Sequence, residues 1–304
     1  MGFKTDQLRY FVTVAEEGQI TRAAEKLYIA QPALSQAISQ LESDLGLKLL
    51  ERHPRGVRLT AAGDAFLEKA RAVVETERDV QLTAQSLARA ARGVIEVGFI
   101  GPPPTMTAPE LFAAFAQAHP KAEVCFRELA FPRGSTHTWL EHVDVAFCQP
   151  PDPDEHIEVH HVRVEPRALM VHASHRLAFS RAAPVEQALG ERFISYDPHV
   201  QRAWAGFHSL DDERGGPPEL FTEDEVSTSL EMLGRLGTLA AAGAVTTLPQ
   251  ADAELVAHVL GDVQALPLLD AAPATVSLVW HAGAAHPLVA ALVACASEPA
   301  AHRA

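Results

Sequence analysis

Cysteine is scarce in this sequence. Cys125, Cys148 and Cys295 are too few and too scattered to frame a disulfide-held domain or a cysteine zinc site, so reduced, buried thiols are expected. No apolar run approaches the roughly 20 residues of a membrane-spanning helix, and the start of the chain, with Lys4 and Asp6, has no signal-peptide apolar stretch. The expectation is a cytoplasmic protein with no membrane partner. No G-x-S-x-G elbow, P-loop or dinucleotide fingerprint follows a strand, so no catalytic residue and no cofactor is assigned. Positive charge is also short: 25 Lys and Arg stand against 39 Asp and Glu, for a net charge of −14.

That balance looks wrong for a nucleic-acid binder until it is partitioned. Residues 1–60 hold eight basic side chains (Lys4, Arg9, Arg22, Lys26, Lys48, Arg52, Arg55, Arg58) against seven acidic ones, and the other 244 residues carry −15. Binding to DNA by such a chain must rest on a local cationic patch, and on more than one copy of it. What remains is ordinary for a globular protein: 47% hydrophobic and 21% charged residues in 304, enough for two or three domains with cores of their own.

Thr5 reads as the cap of a first helix with the stripe Leu8, Phe11, Val12, Ala15 and a stop at Gly18. Ile20, Ala23, Ala24 and Leu27 have the spacing of one buried helical stripe, with Thr21 as N-cap. After a break at Tyr28 to Gln31, Pro32 suits the first turn of a further helix whose stripe is Leu34, Ile38, Leu41 and Leu45. Its outward positions are then Pro32, Gln36, Ser39 and Ser43, flanked by Ser35 and Gln40. These are short or amide side chains able to donate and accept at base edges, with no carboxylate among them. Gly46 ends that helix. Leu49 to Arg52, His53-Pro54-Arg55-Gly56 and Val57 to Thr60 read as a hairpin whose arginines 52, 55 and 58 suit phosphates.

This string resembles the winged helix-turn-helix of the LysR-type transcriptional regulators. The resemblance rests on Thr21-Arg22-Ala23-Ala24 to Leu27, Gln31-Pro32-Ala33-Leu34-Ser35, Ile38, Leu41-Glu42, Leu45-Gly46, Arg52, Arg55-Gly56-Val57 and Leu59-Thr60. Ala30 departs from it, standing where the family usually caps the recognition helix with Ser or Thr; the loss costs about 1 kcal/mol. The resemblance implies an operator in double-stranded DNA read by Thr21, Arg22, Gln31, Pro32, Ala33, Ser35, Gln36, Ser39, Arg52 and Arg55. It also implies a small-molecule effector and RNA polymerase as partners.

Thr60 caps a polar, alanine-rich segment free of Gly and Pro from Asp64 to Arg92. Phe66, Val73, Val80 and Leu87 recur in it every seven residues, beside Ala70 and Ala84, as a seam for a second copy. A helix packed on its own chain is the alternative. In the family such helices dimerise, so a homodimer or dimer of dimers is expected. Beyond Gly93 strands alternate with helices, the pattern of an α/β domain. Strands are expected at Val94 to Ile100, Glu123 to Leu129, Val143 to Cys148, Ile157 to Val164, Ala168 to Ala173, Arg192 to Tyr196, Ala244 to Leu248 and Val276 to Trp280. Helices are expected around Leu111-Phe112-Phe115, at Ser227 to Leu239 and at Pro287 to Ala296.

This part is similar to the family's effector domain, two α/β lobes like those of periplasmic solute-binding proteins. The likeness is carried by Gly98, Phe115 with His119-Pro120, Val143-Asp144-Val145-Ala146, and Gly243 before Leu248-Pro249. Residues 131–137, with Pro132 and Gly134, depart from it. The expected organisation is α+β and multidomain: a winged helix-turn-helix over 1–60, a linker helix over 61–92 and a two-lobed domain over 93–304. Lobe 1 takes about 93–161 and 266–304, and lobe 2 about 162–265.

Histidines 156, 160 and 161 form the densest set, but adjacent residues of a strand point to opposite faces, and no metal is assigned. Asp211-Asp212-Glu213 and Glu223-Asp224-Glu225, flanking Gly215-Gly216-Pro217-Pro218, read as a solvated loop. Cys148 invites a redox-responsive reading, yet no cysteine lies between it and Cys295, and a buried strand thiol is the better account. Ligands of open α/β sheets sit outside the carboxyl ends of strands. Ile100, Thr105, Cys148, Gln149, Ser227, Thr246 and Thr247 are therefore expected around an effector, with helix N-termini and Arg133 or Arg202 favouring a small organic acid. The function expected is an effector-modulated DNA-binding regulator. A ligand-independent or redox-responsive regulator, and a solute-binding or catalytic α/β protein with an incidental helical domain, are the alternatives.

Overall fold

The structure is a computed structural model that describes residues 2–53, 56–133, 139–149, 157–284 and 286–297. Contacts divide the chain into two compact units, Met1–Gln85 and Ser86–Ala304.

In the first unit, helices α1 (Thr5–Glu17), α2 (Ile20–Lys26) and α3 (Gln31–Leu45) precede a hairpin of β1 (Leu50–His53) and β2 (Gly56–Leu59). The long helix α4 (Ala61–Ala90) begins in this unit and ends in the other. Most of the expected stripes are buried (Leu8, Phe11 and Val12; Ala23 and Ala24; Leu34, Ile38 and Leu41), while Ala15, Ile20, Leu27 and Leu45 are half-buried against the same core. Two caps differ from expectation. Thr5 and Thr21 lie inside their helices, whose N-caps are Lys4 and Gln19. At α1 the Lys4 amide donates to the Gln7 side chain at 2.8 Å, so a glutamine three residues on does the work assigned to threonine. Ala30 is the cap of α3 and makes no side-chain bond. Thr60 caps α4 as expected, its hydroxyl accepting from the Gly63 amide at 2.9 Å.

The hairpin is bolted back onto the helices at a glycine. The Val57 amide donates to the Gly18 carbonyl at 2.8 Å, and a Cβ on Gly56 would stand 2.2 Å from that oxygen, at a φ of +136°. Only glycine fits there. A second tie comes from Glu42, whose position in α3 the stripe left unexplained. Glu42 is buried and accepts from the amides of Leu49 and Leu50 at 2.9 and 3.0 Å and from Lys48 Nζ at 2.5 Å. Burial alone would raise its pKa, but the bonds from Lys48, Leu50 and Leu49 outweigh it and hold the carboxyl below its ordinary value.

The heptad row is split. Phe66 stacks against Phe3 and Phe11, with ring centroids 6.3 and 5.6 Å apart, and Ala70 is fully buried in the core of this unit. This end of the row packs on its own chain. Val73, Val80 and Leu87 are 45%, 65% and 46% exposed.

The second unit contains two five-stranded mixed sheets. The first has the order β4 (Glu123–Glu128), β3 (Val94–Phe99), β5 (Val145–Cys148), β12 (Ala274–His281), β6 (Ile157–Glu165). The second runs β11 (Val263–Pro267), β7 (Arg167–His172), β10 (Ala244–Pro249), β8 (Arg192–Tyr196), β9 (Phe221–Val226). The chain crosses from the first sheet to the second at Pro166 and returns between Pro267 and Ala274, so β12 rejoins β5 and β6. The first sheet opens at a buried clamp. Arg89, near the end of α4, donates Nη2 and Nε to the two carboxylate oxygens of Asp144 at 2.7 and 2.9 Å, and the Glu96 amide donates to the same carboxylate at 2.9 Å. Gly98, next along β3, leaves no room for a side chain, since a Cβ would lie 2.6 Å from Leu129.

Several expectations need correction. Glu223-Asp224-Glu225 belongs to edge strand β9, parallel to β8. Asp211-Asp212-Glu213 forms a short helical turn in which Asp212 binds the buried Arg167 guanidinium at 2.7 and 3.0 Å. Cys148 is buried, but Cys125 and Cys295 are only half-buried. His160 meets Ser297 and His161 meets Ser277, while His156 lies outside the described residues. Helices at Arg202–Ser209 and Gln250–Leu260 were not foreseen.

Glu42→Ala is expected to cost about 2–3 kcal/mol, because the amides of Leu49 and Leu50 lose their acceptor. A depressed carboxyl pKa contributes stability above the unfolded value that is lost as pH falls through the folded one. Urea unfolding of Glu42→Gln should therefore show a weaker acid loss below about pH 4.3 than wild type. An unchanged acid limb removes Glu42 as the tie between α3 and the hairpin.

Candidate nucleic-acid interface and ligand cavity

Two places carry residues for recognition, one in each unit. In the first, Thr21, Arg22, Gln31, Pro32, Ala33, Gln36 and Ser39 are exposed, and Ser35 is half-buried. The outward face of α3 is partly self-ordered. Gln31 Nε2 donates to Ser35 Oγ at 3.1 Å, and Ser39 Oγ donates to the Ser35 carbonyl at 2.9 Å, a bond that leaves the Ser39 lone pairs outward. Arg22 lies 3.5 Å from Glu17, which also pairs with Lys26 at 2.9 Å. On the hairpin, Arg52 sits in β1, Arg58 is exposed on β2, and Arg55 lies outside the described residues.

In the second unit a cavity of about 60 Å³ lies between the two sheets. A lone water needs roughly 10–15 Å³ of such space, so a small organic molecule is the size class. Ile100, Gly101 and Pro102 reach it from the end of β3, Gln149 from the end of β5, and Phe131 from the segment after β4. The rest comes from the second sheet and its helices: Tyr196, Trp204, His208, Ser229, Met232, Leu236, Thr246, Pro249, Asp252 and Val256 among them. Phe131 and Trp204 lie with ring centroids 4.7 Å apart, and Trp204 and His208 4.3 Å apart, making one aromatic wall.

Of the nine residues expected here, three line the cavity: Ile100, Gln149 and Thr246. Thr247 lies just behind it, buried, donating to the Phe207 carbonyl at 2.8 Å. Ser227 is bound to Asp197 and Glu231 before the helix, which begins at Ser229 with Thr228 as cap. Cys148 packs in the core with Leu129, Leu140 and Val143, and burial pushes its thiol pKa up. Thr105 is exposed on the short helix Pro104–Thr107. The two proposed counter-ions are also elsewhere. Arg133 is exposed and paired with Asp197 at 2.8 Å, and Arg202 lines a separate depression with Gly206, Asp211 and Asp212.

Sequence reasoning missed most of the wall. Trp204 and His208 share one helical face at i, i+4, and Pro249 before Asp252 is a helix-start pattern; both signals were present. Nothing in the sequence marked the burial of His208 or its ionisation. His208 Nδ1 lies 2.7 Å from the Thr247 carbonyl, which can only accept, so Nδ1 carries the proton and Nε2 is an acceptor. Burial lowers its pKa to about 4, against the opposing pull of the Thr247 bond. Thr246 donates to the His208 carbonyl at 3.3 Å and lies 3.1 Å from the Tyr196 hydroxyl, which donates to it. Asp252 goes the other way: burial raises its pKa to about 7, although Arg163 stands 3.6 Å off. Buried Gln149 Oε1, Trp204 Nε1 and His208 Nε2 have no hydrogen-bond partner among the described residues. Among the described residues no three His, Cys, Asp or Glu side chains are grouped to hold a metal, and no helix is long and apolar enough to cross a membrane.

The two cavity groups impose opposite pH slopes. Between about pH 4 and 6.5 the unfolded His208 takes a proton that the folded one refuses, so stability rises with pH. Over about pH 4 to 7 the folded Asp252 keeps a proton that the unfolded one releases, so stability falls with pH. Asp252→Asn removes the second slope. Its stability relative to wild type should climb by about 1 kcal/mol per pH unit from pH 4.5 to 6.5 in urea melts. A constant difference excludes a raised Asp252.

Comparison with known proteins agrees with this architecture. Residues 5–64 match the family model described as bacterial regulatory helix-turn-helix protein, lysR family. Residues 88–300 match the LysR substrate binding domain. The chain is 28% identical over 253 residues to the HTH-type transcriptional regulator AlsR of Bacillus subtilis (strain 168), covering 82% of this chain and 81% of that one. It is 31% identical over 245 residues to the HTH-type transcriptional regulator ClcR of Pseudomonas putida, covering 80% and 82%. Among solved structures, full-length BenM matches with a TM-score of 0.51 at 26% identity, over 97% of this chain and 95% of that one. Full-length CbnR in complex with its target DNA matches with a TM-score of 0.50 at 26% identity, over 97% and 98%. With both of its units matched by the family's models, the chain belongs to the LysR family of bacterial transcriptional regulators.

Proposed function

We propose that α3 is the recognition helix for the major groove of an operator, that the hairpin arginines grip phosphate, and that a ligand in the inter-sheet cavity modulates operator binding. The observation that carries this reading is the outward row of α3. Pro32, Gln36, Ser39 and Ser43 are exposed, and no carboxylate interrupts them. Thr21, Arg22, Gln31, Ala33 and Ser35 flank the row, and Arg52 and Arg55 follow on the hairpin. The solved complex of CbnR with its target DNA supports the assignment by likeness. RNA polymerase is the protein partner that such a regulator needs at a promoter.

Self-association supports the weak cationic surface. One patch with a net charge of +1 in residues 1–60 gives little affinity, and two or more copies on one duplex multiply it. Val73, Val80 and Leu87 are the exposed apolar positions for that contact, with Phe66 and Ala70 withdrawn into the core. The assembly proposed is a homodimer or a dimer of dimers. A redox-responsive alternative loses its support with Cys148, whose buried thiol cannot readily ionise. The organic acid expected as effector keeps its cavity and loses both of its proposed counter-ions, Arg133 and Arg202.

Binding to operator and random duplexes separates base reading from phosphate contact. Gln36→Ala should lose about 1–3 kcal/mol of discrimination at one position of each half-site. Arg58→Ala should weaken both duplexes alike and flatten the salt slope by about 0.9. Full discrimination by Gln36→Ala takes α3 out of the groove.

Val73→Asp with Val80→Asp should set carboxylates in the apolar row and separate the copies, while the fold survives because both positions are exposed. Light scattering that still gives the wild-type mass rejects this row as the interface.

A further inference from the structure

We infer that the cavity takes a small, flat, uncharged molecule bearing N–H or O–H donors, and discriminates against carboxylates. This rests on the reading of the cavity as the effector site and specifies its ligand.

Charge is the first ground. Among the described residues no Lys or Arg lines the cavity, and the one carboxyl in its wall is Asp252. The guanidinium beside Asp252, that of Arg163, is mostly engaged: Nε donates to Glu165 at 3.0 Å and Nη1 to the Thr107 carbonyl at 2.8 Å, while Nη2 stands 3.6 Å from Asp252 without a hydrogen bond among the described residues. Two carboxylates therefore face one cation. An entering ligand carboxylate would be desolvated beside them with no cation among the described lining residues, a costly arrangement for it.

Helix N-termini, the usual resort of an anion, are taken by the chain itself. At the helix Ser229–Ala241, the Ser229 hydroxyl donates to Glu128 at 2.5 Å. At the helix Gln250–Leu260, the Ala251 amide donates to Glu165 at 3.1 Å, and Asp252 stands in the first turn. The positive ends of both helix dipoles already have carboxylates beside them.

Hydrogen-bonding capacity is the second, independent ground. Trp204 and His208 are each 4% exposed, and with Gln149 they leave Nε1, Nε2 and Oε1 without partners among the described residues. Two of these three atoms are acceptors. His208 Nε2 is held as an acceptor by its Nδ1–H bond to the Thr247 carbonyl, and the depressed pKa keeps the ring neutral. A ligand that satisfies them must bring donors, plus one acceptor for the Trp204 N–H. The Phe131, Tyr196 and Trp204 rings give a flat molecule its walls.

Benzamide and benzoate share shape and differ in charge and in donors. Titrated into the full-length protein at pH 8 by calorimetry, benzamide should bind at least tenfold more tightly than benzoate. It should also shift the Trp204 indole N–H resonance, assigned by its loss in Trp204→Phe. Gln149→Arg places a cation at a half-buried position of the wall and should reverse the preference. Equal or tighter binding of benzoate to wild type overturns the inference, as does binding of neither compound up to 10 mM. Gln149→Arg with both affinities unchanged overturns it too, because the site is then elsewhere. Operator binding is measured separately by gel shift: its failure removes the regulatory reading and leaves the benzamide preference standing.

Discussion

A fully buried carboxylate, Asp144, fixes the second unit. Its side chain has no exposed surface, and a charge in that position persists only if every lone pair is used. Arg89 supplies two parallel N–H bonds, the Glu96 amide a third, and His286, also buried, stands 3.7 Å away while holding the Val94 carbonyl at 3.0 Å. Bidentate geometry makes the contact directional as well as strong. Its effect is positional. The clamp pins the end of the long helix to the start of β3, and β3 in turn delivers Ile100 to the cavity wall. Val145 to Cys148 leaves the same clamp beside β3 and carries Gln149 to the same wall.

Carboxylates recur in this role throughout an acidic chain. Glu42 joins α3 to the hairpin, Asp212 neutralises the buried Arg167, and Glu165 meets the helix that carries Asp252. Part of the negative charge is thus structural, held by backbone amides and guanidinium groups. The consequence for DNA falls on the first unit, where Glu42 is turned inward and the outward row of α3 is left to amides and hydroxyls.

Legibility in the sequence followed the range of the interactions. Stripes at steps of three and four gave α1 to α3 because each is settled within one helix, and alternating segments gave most strands of both sheets. Cap readings failed where the N-cap stood one or two places earlier, Lys4 before Thr5 and Gln19 before Thr21. The heptad Phe66, Val73, Val80, Leu87 was legible as a row, but spacing cannot tell that Phe66 and Ala70 meet their own chain before a second copy. The cavity was least legible. Its walls come from positions near 100, 131, 149, 196–208, 229–236 and 246–256, joined only by sheet order. Arginines attract attention in a sequence, and Arg133 and Arg202 were offered as ligand partners for that reason. Arg133 goes to Asp197, and Arg202 lies at a separate depression with Asp211 and Asp212.

A cavity walled by both sheets constrains how a ligand can act. A ligand shifts an equilibrium only by the difference in its affinity for the two states, so a pocket inside one sheet could stabilise the unit without moving anything. Here Ile100 and Gln149 belong to one sheet and Trp204, His208 and Thr246 to the other, and a bound molecule senses their separation directly. The crossover at Pro166 lies beside that contact. Arg163 and Glu165 before it engage Asp252 and the start of the helix that bears it, while Arg167 after it is locked by Asp212 and stacked on Phe207 with its guanidinium 4.1 Å from the ring centroid. Arg163–Asp252 thus spans from the first sheet to a helix of the second, whereas Arg167–Asp212 lies wholly on the second-sheet side.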